Sequence, residues 1–314
     1  MKILVSGSLA YDRIMDFPGK FSDHILPDKI HILNVCFMIN GLKENFGGTA
    51  GNIAYTLALL EETPTIVATA GRDFPPYAEW LKSNGIAVDH VKIIVDELTA
   101  GAYITTDQSD NQITAFNPGA MKFTSDPDFD ALNPADTLAI VAPGNLDDMY
   151  GFIQAYKKHG IPYIFDPGQS LPQWNGQQLT EMISGAKIFI SNDYELELTL
   201  EKTSATLEDL TSMADMVITT KAEFGSQITS KQIGTISIPA VPVTTVKDPT
   251  GAGDSFRGGL IKGLVVNPYD PVHAMQMGSG AASFSVEVYG TQNFHFTQES
   301  FNARFKGAFG KIAY

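Results

Sequence analysis

The chain has one cysteine in 314 residues, Cys36, so it cannot close an internal disulfide. Its six histidines are scattered without the paired spacing of a metal site, and structural zinc is not expected. Lys and Arg total 21 against 35 Asp and Glu, a formal net charge of −14, and there is no basic run. Nucleic acid and anionic membranes reward clustered positive charge, so neither is expected as a partner, and a phosphate-bearing ligand would need a local device to hold it. No stretch reaches the roughly 18 consecutive apolar residues that span a bilayer. Residues 1–11 form a strand-like apolar run that lacks the basic flank, long apolar core and cleavage site of a signal peptide. A cytoplasmic location is therefore the expectation. Internal repeats, low-complexity tracts and long linkers are missing as well.

What is present is alternation. The chain is 44% hydrophobic, enough for one large core. From about residue 137, the short apolar runs Thr137–Ala142, Tyr163–Phe165, Ile188–Ile190 and Met216–Ile218 are separated by longer amphipathic segments. That pattern predicts parallel βαβ units and an α/β fold. Each run ends in turn-forming or polar residues: Pro143-Gly144-Asn145, Asp166-Pro167-Gly168, Ser191-Asn192-Asp193 and Thr219-Thr220-Lys221. In open α/β sheets, ligands bind outside the carboxyl ends of the strands, where these groups collect.

The first third differs. Ile30–Met38, Gly101–Thr106 and Asn111–Phe116 read as extended segments without helices between them, and Asp107-Gln108-Ser109-Asp110 as a hairpin turn. These predict a small antiparallel β lid built from two insertions, about 12–45 and 96–119, on a single domain covering 1–314.

The strongest chemical signal is Asp248-Pro249-Thr250-Gly251-Ala252-Gly253-Asp254-Ser255-Phe256-Arg257-Gly258-Gly259-Leu260. It follows the apolar run Val241–Val246, read as a strand, and leads into a helix-like segment. A glycine-rich entry to a helix lets backbone N–H groups converge on an anion at the positive end of the helix dipole. Phosphoryl transfer to an alcohol also needs an acceptor for the hydroxyl proton, and Asp254 stands in position to be one. A plain turn with Asp254 capping the helix is the competing reading. Arg257 either contacts phosphate or supports the loop; the sequence leaves both open.

This stretch resembles the second signature of the ribokinase-like (PfkB) family, a DTxGAGD-type loop followed by small residues. The resemblance implies a three-layer α/β/α core with a mainly parallel sheet. It also implies that Gly251, Ala252 and Gly253 form an anion hole and that Asp254 is the base. Gly47-Gly48-Thr49-Ala50-Gly51-Asn52 is similar to the first signature, with Gly71 at the further spacing; Glu61 stands where Gly or Ser is usual. Asp12, after the first strand, resembles the family aspartate that accepts hydrogen bonds from substrate hydroxyls. Asp12, Gly47, Gly48 and Asn52 are thus expected at the substrate. Asn192 and Glu195 match an NxxE pattern associated with Mg²⁺ held through water, and also read as a helix capping box. Thr220 and Gly225 resemble a TxGxxG segment against the nucleotide, with Ala222 in place of Gly, and Asp248 joins them on that side.

ATP and Mg²⁺ are the cofactors this implies, and a monovalent cation such as K⁺ is permitted near Asp248 and residues 281–290. Neither a P-loop nor a GxGxxG after the first strand is present. Ala10 and Thr49 replace the Asn and Lys of sugar kinases and ribokinases, which favours the nucleoside branch, similar to adenosine kinase. Phe116 or Phe46 is then available to stack on a base. A sugar or sugar-phosphate kinase and a non-catalytic sensor on the same scaffold are the alternatives. Exposed lid strands leave a homodimer open.

Overall fold

A computed structural model describes residues 1–109, 111–130 and 132–314. Asp110 of the expected hairpin turn lies outside the described residues. In chain order the strands are β1 (Lys2–Ser6), β2 (Ala10–Asp16), β3 (Leu42–Gly47), β4 (Thr65–Gly71), β5 (Ala87–Ile94), β6 (Ala100–Thr106), β7 (Gln112–Asn117), β8 (Thr137–Val141), β9 (Tyr163–Phe165), β10 (Ile188–Asn192), β11 (Met216–Thr220), β12 (Ser226–Ser230) and β13 (Gly234–Ile238). The α-helices are α1 (Thr49–Leu59), α2 (Pro75–Ser83), α3 (Leu146–His159), α4 (Gly176–Ile183), α5 (Asp193–Thr203), α6 (Leu207–Met213), α7 (Ala252–Val266), α8 (Pro271–Ser285) and α9 (Gln298–Phe309).

A nine-stranded sheet runs β13-β12-β11-β10-β9-β8-β1-β4-β5, parallel except for the antiparallel β12 and β13 at one edge. Its central strands β1, β8, β9 and β10 are buried on both sides. Ile3 and Val5 of β1 face one core with α1, α7 and α8, while Leu4 faces a second core with α3 and α4. A sheet covered on both faces demands such continuous apolar runs. The chain winds outward from β1 through β4 in one direction and from β8 through β11 in the other. The carboxyl ends beside this reversal are where an open α/β sheet binds ligands.

A four-stranded sheet, β3-β2-β6-β7, sits apart from the first; it is not antiparallel throughout as expected, because β2 and β6 enter it from separate insertions and pair parallel. Two of the extended segments expected in it are strands, but Ile30–Met38 is not. Pro27–Ile32 forms 3₁₀ turns and Leu33–Met38 has no regular structure. The strand paired with β2 is Leu42–Gly47 instead. Pro27 presets a helical φ at the first position of that turn, and the edge of β2 is already taken by β3.

A second expectation also fails: Val241–Val246 is not a strand. The last ladder partner ends at Ile238, and Pro239 and Pro242 lack the N–H groups needed to extend the ladder. Helix α7 therefore springs from a loop. No α-helix among the described residues is long and apolar enough to cross a membrane.

Glu61, which replaces the usual Gly or Ser, does not reshape the end of α1. It adopts φ 64°, the left-handed conformation that glycine supplies at a helix terminus, and Glu62 N–H closes onto Leu57 O at 3.0 Å. The departure is absorbed as strain. Glu61→Gly is expected to raise stability by about 1 kcal/mol, read as a higher denaturation midpoint with an unchanged slope. An unchanged midpoint would contradict this.

Candidate active site

Two helices meet at their N-termini to build the site. α1 and α7 cross closely because Gly258 has no side chain; a Cβ there would lie 2.7 Å from Cβ of Thr56. The crossing brings Asn52 to Asp254, 202 residues further along the chain, and Asn52 Nδ2 donates to Asp254 Oδ2 at 2.8 Å. Gly251 is the N-cap of α7 at φ 76°, and the first intrahelical bond runs from Ser255 N to Gly251 O. The amides of Gly253 and Asp254 precede that bond and have no acceptor within the helix. Ala252 N–H is turned to Pro249 O at 3.2 Å.

Asp254 does not cap the helix; its carboxylate is held by Asn52. Burial pushes its carboxyl up to about 6, against the Asn52 hydrogen bond and the Arg257 charge, which act to lower it. Asp166 and Asp12 add to the rise. A carboxyl tuned in this way is a better proton acceptor near neutral pH than an ordinary aspartate.

Asp254 and the Gly251–Gly253 loop form one wall of a cavity of about 930 Å³. The carboxyl ends of β9, β10 and β11 contribute Asp166, Asn192 and Thr220, and Glu195 and Gly225 also line it. Val241, Val243, Val246 and Val286 give it an apolar side. Gly225 is required by the backbone, since it adopts φ 86° with Ile238 O packed against it. Ala222, in place of the usual Gly, adopts φ 47°, so this departure too keeps the glycine-like conformation. Asn192 and Glu195 form a capping box: Glu195 Oε2 accepts from Asn192 N at 2.8 Å and Asn192 Oδ1 from Glu195 N at 2.7 Å. Burial raises the Glu195 carboxyl above its ordinary value.

Arg257 is buried against Asp166, with Nη2 to Oδ1 at 2.9 Å and Nε beside Oδ2. Asp166, which the sequence signals only as a strand-end turn, thus becomes part of the site. Asp248 does not line the cavity as expected. Its carboxylate accepts from Thr250 N at 2.9 Å and Gly290 N at 3.0 Å, bracing the loop before α7 against residue 290.

On the other side, Asp12 of β2 lies over Gly47, where a Cβ would come within 2.6 Å of Oδ2. Burial, followed by the charge of Asp248, pushes its carboxyl up to about 6. Gly48, at φ 89°, packs against Ser8 O and Ala10 N. Thr49, in place of Lys, is buried and donates to Pro143 O at 2.7 Å. The register aligns Asn45, Asp12, Ala102 and Phe116 across the small sheet, so these four share one face. Phe116 is 52% exposed there. Phe46 lies on the opposite face, stacked on Tyr77 at 4.5 Å, and is not available to a ligand base.

The expectation for Asn52 also changes. Its amide does not present both ends to a substrate, because Nδ2 is bound to Asp254 and Oδ1 accepts from Gln292 Nε2 at 3.1 Å. Gln292 had no signal in the sequence.

Residues 33–298 match the pfkB family carbohydrate kinase model. The chain belongs to this family. As a pfkB-family kinase it transfers a phosphoryl group to an alcohol hydroxyl. A nucleoside kinase of Methanocaldococcus jannaschii is 33% identical over 263 residues, 82% of this chain and 85% of that protein. The structure of a Burkholderia thailandensis nucleoside kinase in complex with inosine is 38% identical, with a TM-score of 0.83 over 99% of both chains. The same kinase in complex with ADP-inosine superimposes with a TM-score of 0.82 at 39% identity, covering 99% of this chain and 97% of that one.

Proposed function

We propose that this kinase transfers the γ-phosphoryl group of ATP to the hydroxymethyl group of a nucleoside, with Asp254 accepting the proton. The observation that carries this reading is the position of Asp254. It sits at the N-terminus of α7, in the wall of the large cavity, and within electrostatic reach of Asp12. ATP occupies the cavity with its base toward the valine side and its phosphates toward Gly251–Gly253. The likeness to a kinase whose structures hold inosine and ADP-inosine supports the choice of acceptor and donor.

Within the substrate site, Asp12 accepts hydrogen bonds from the two vicinal ribose hydroxyls, and Phe116 stacks on the base from the same sheet face. Gly47 makes room for the Asp12 carboxylate, and Gly48 sets the entry of α1. Arg13 supplies no site for a second phosphate: its guanidinium is spent on Glu44 at 2.8 Å and Asp73 at 3.5 Å. This favours a nucleoside over a sugar phosphate. The four-stranded sheet acts as a lid, formed by the insertions at about 12–45 and 96–119, and excludes water that would otherwise take the phosphoryl group.

One carboxylate and one amide facing the cavity suit a hydrated hard cation, so Glu195 and Asn192 would hold Mg²⁺ through water. When bound, Mg²⁺ offsets negative charge on the donor phosphates. The amides of Gly253 and Asp254 stabilise charge on the transferring group. Asp254 takes the hydroxyl proton, and Arg257, fixed by Asp166, balances the negative charge beside it.

The test is ATP-dependent phosphorylation of purine and pyrimidine nucleosides, ribose, fructose and fructose 6-phosphate, with Asp254→Ala as the blank. A nucleoside is expected to turn over best. Preference for fructose 6-phosphate would overturn the reading of Asp12 and Phe116; no turnover of any acceptor would favour a sensor.

A further inference from the structure

Gln292 lies in the loop after α8, outside both sequence motifs, yet it is buried at the centre of a polar network beneath the site. Trp80 Nε1 donates to Gln292 Oε1 at 3.0 Å. Gln292 Nε2 lies 3.1 Å from Asn52 Oδ1 and 2.6 Å from the Tyr77 hydroxyl, which donates to Gly47 O at 2.8 Å. Asn52 Nδ2 then meets Asp254.

The direction of every bond follows from two groups with no choice. An indole N–H only donates, so the Gln292 oxygen must face Trp80 and its NH₂ must face Asn52 and Tyr77. A backbone carbonyl only accepts, so the Tyr77 proton goes to Gly47 and its oxygen receives Gln292. The Asn52 oxygen must therefore face Gln292, and its NH₂ must face Asp254. Gly51 is part of the same arrangement: a side chain there would overlap the Tyr77 hydroxyl and approach Gln292 Nε2 to 2.9 Å.

We propose that Gln292 is a positioning residue for phosphoryl transfer, locking the Asn52 amide so that it donates to Asp254 Oδ2 and leaves Oδ1 for the substrate hydroxyl. This rests on the reading of Asp254 as proton acceptor. Without the Gln292 donor, Asn52 can rotate and turn its oxygen to Asp254, an arrangement that favours a protonated carboxyl. The other groups that bear on Asp254 are Arg257 on its own helix, Asp166 after β9, Asp12 on β2 and Tyr77 on α2. None of them is replaced in the variants below.

The variants are Gln292→Glu, which keeps an acceptor for Trp80 but loses the donor, and Gln292→Met, which loses both without adding charge. Two readouts apply: the pH dependence of kcat, and the carboxyl ¹³C titration of Asp254 in ligand-free protein, assigned by its disappearance in Asp254→Asn. Both variants are expected to move the Asp254 titration upward by about one pH unit, more in Gln292→Glu. The acidic limb of kcat should follow, giving about a fivefold loss at pH 6 that approaches tenfold below it and recovers at alkaline pH, with KM changed less than about threefold. A titration that stays in place, or a loss of kcat equal at every pH, would overturn the proposal. Should Gln292→Glu not fold, Gln292→Met decides. The ¹³C titration needs no turnover, so it tests the lock even if the substrate reading fails, while an unmoved titration in an active kinase defeats the lock alone.

Discussion

Replacing Asp254 with Asn is expected to lower kcat about a hundred- to ten-thousand-fold, the range over which a positioned general base contributes. Asn keeps the shape and still accepts from Asn52, but it takes up no proton. The wild-type enzyme should show an acidic limb in kcat/KM with a midpoint of about 6, set by burial of Asp254. Stability should move the other way. The native carboxyl is raised from 3.8 to about 6, so the folded state binds more protons than the unfolded chain between those values, and wild-type stability falls as pH rises through them. Asp254→Asn lacks that fall and should be more stable than wild type at pH 8, by about 1 kcal/mol after allowance for partial solvation. Retained turnover would remove Asp254 as the base. A destabilised, inactive variant would instead mean that the carboxylate supports the fold.

Gly251→Ala should have the second largest effect. The residue sits at φ 76°, where a Cβ costs about 1–2 kcal/mol, and that Cβ would lie 2.8 Å from Thr291 Cγ2. The loop can relieve this only by shifting the amides that follow it. Loss of one such donor elsewhere lowers kcat by about a hundred- to a thousand-fold, and a similar fall is expected here. KM for the nucleoside should change little, because Asp12 and the small sheet are untouched. A rise confined to KM, with kcat intact, would mean that the loop binds substrate and does not stabilise the transferring group.

Much of this was legible in the sequence because local rules suffice for it. The four apolar runs from residue 137 had to be buried on both faces, which made a parallel sheet readable. The glycine-rich entry to α7 carried its own anion chemistry. The misses are places where a distant partner decides. Val241–Val246 has strand composition, but two prolines and the lack of a ladder partner keep it irregular. Ile30–Met38 is apolar enough for a strand, yet β3 holds the edge of β2. Asn52 stood out in the sequence, but its partners Asp254 and Gln292 lie 202 and 240 residues away, and no spacing encodes them. Asp248 looked like a ligand residue, and its carboxylate accepts from two backbone amides, one two residues away and the other 42. Conversely, Glu61 and Ala222 departed from the motif without departing from its geometry, because a side chain can be forced into a left-handed position at a modest cost.

The most direct measurement is to incubate the protein with Mg²⁺, ATP and a purine nucleoside, and to follow the products by ³¹P NMR. The account predicts one ADP for each nucleoside monophosphate formed, with the new phosphate esterified to the hydroxymethyl oxygen, and no phosphate transfer to the matching 5′-deoxynucleoside. Phosphate appearing on a ring hydroxyl, or ADP formed at the same rate with the 5′-deoxy compound, would contradict it.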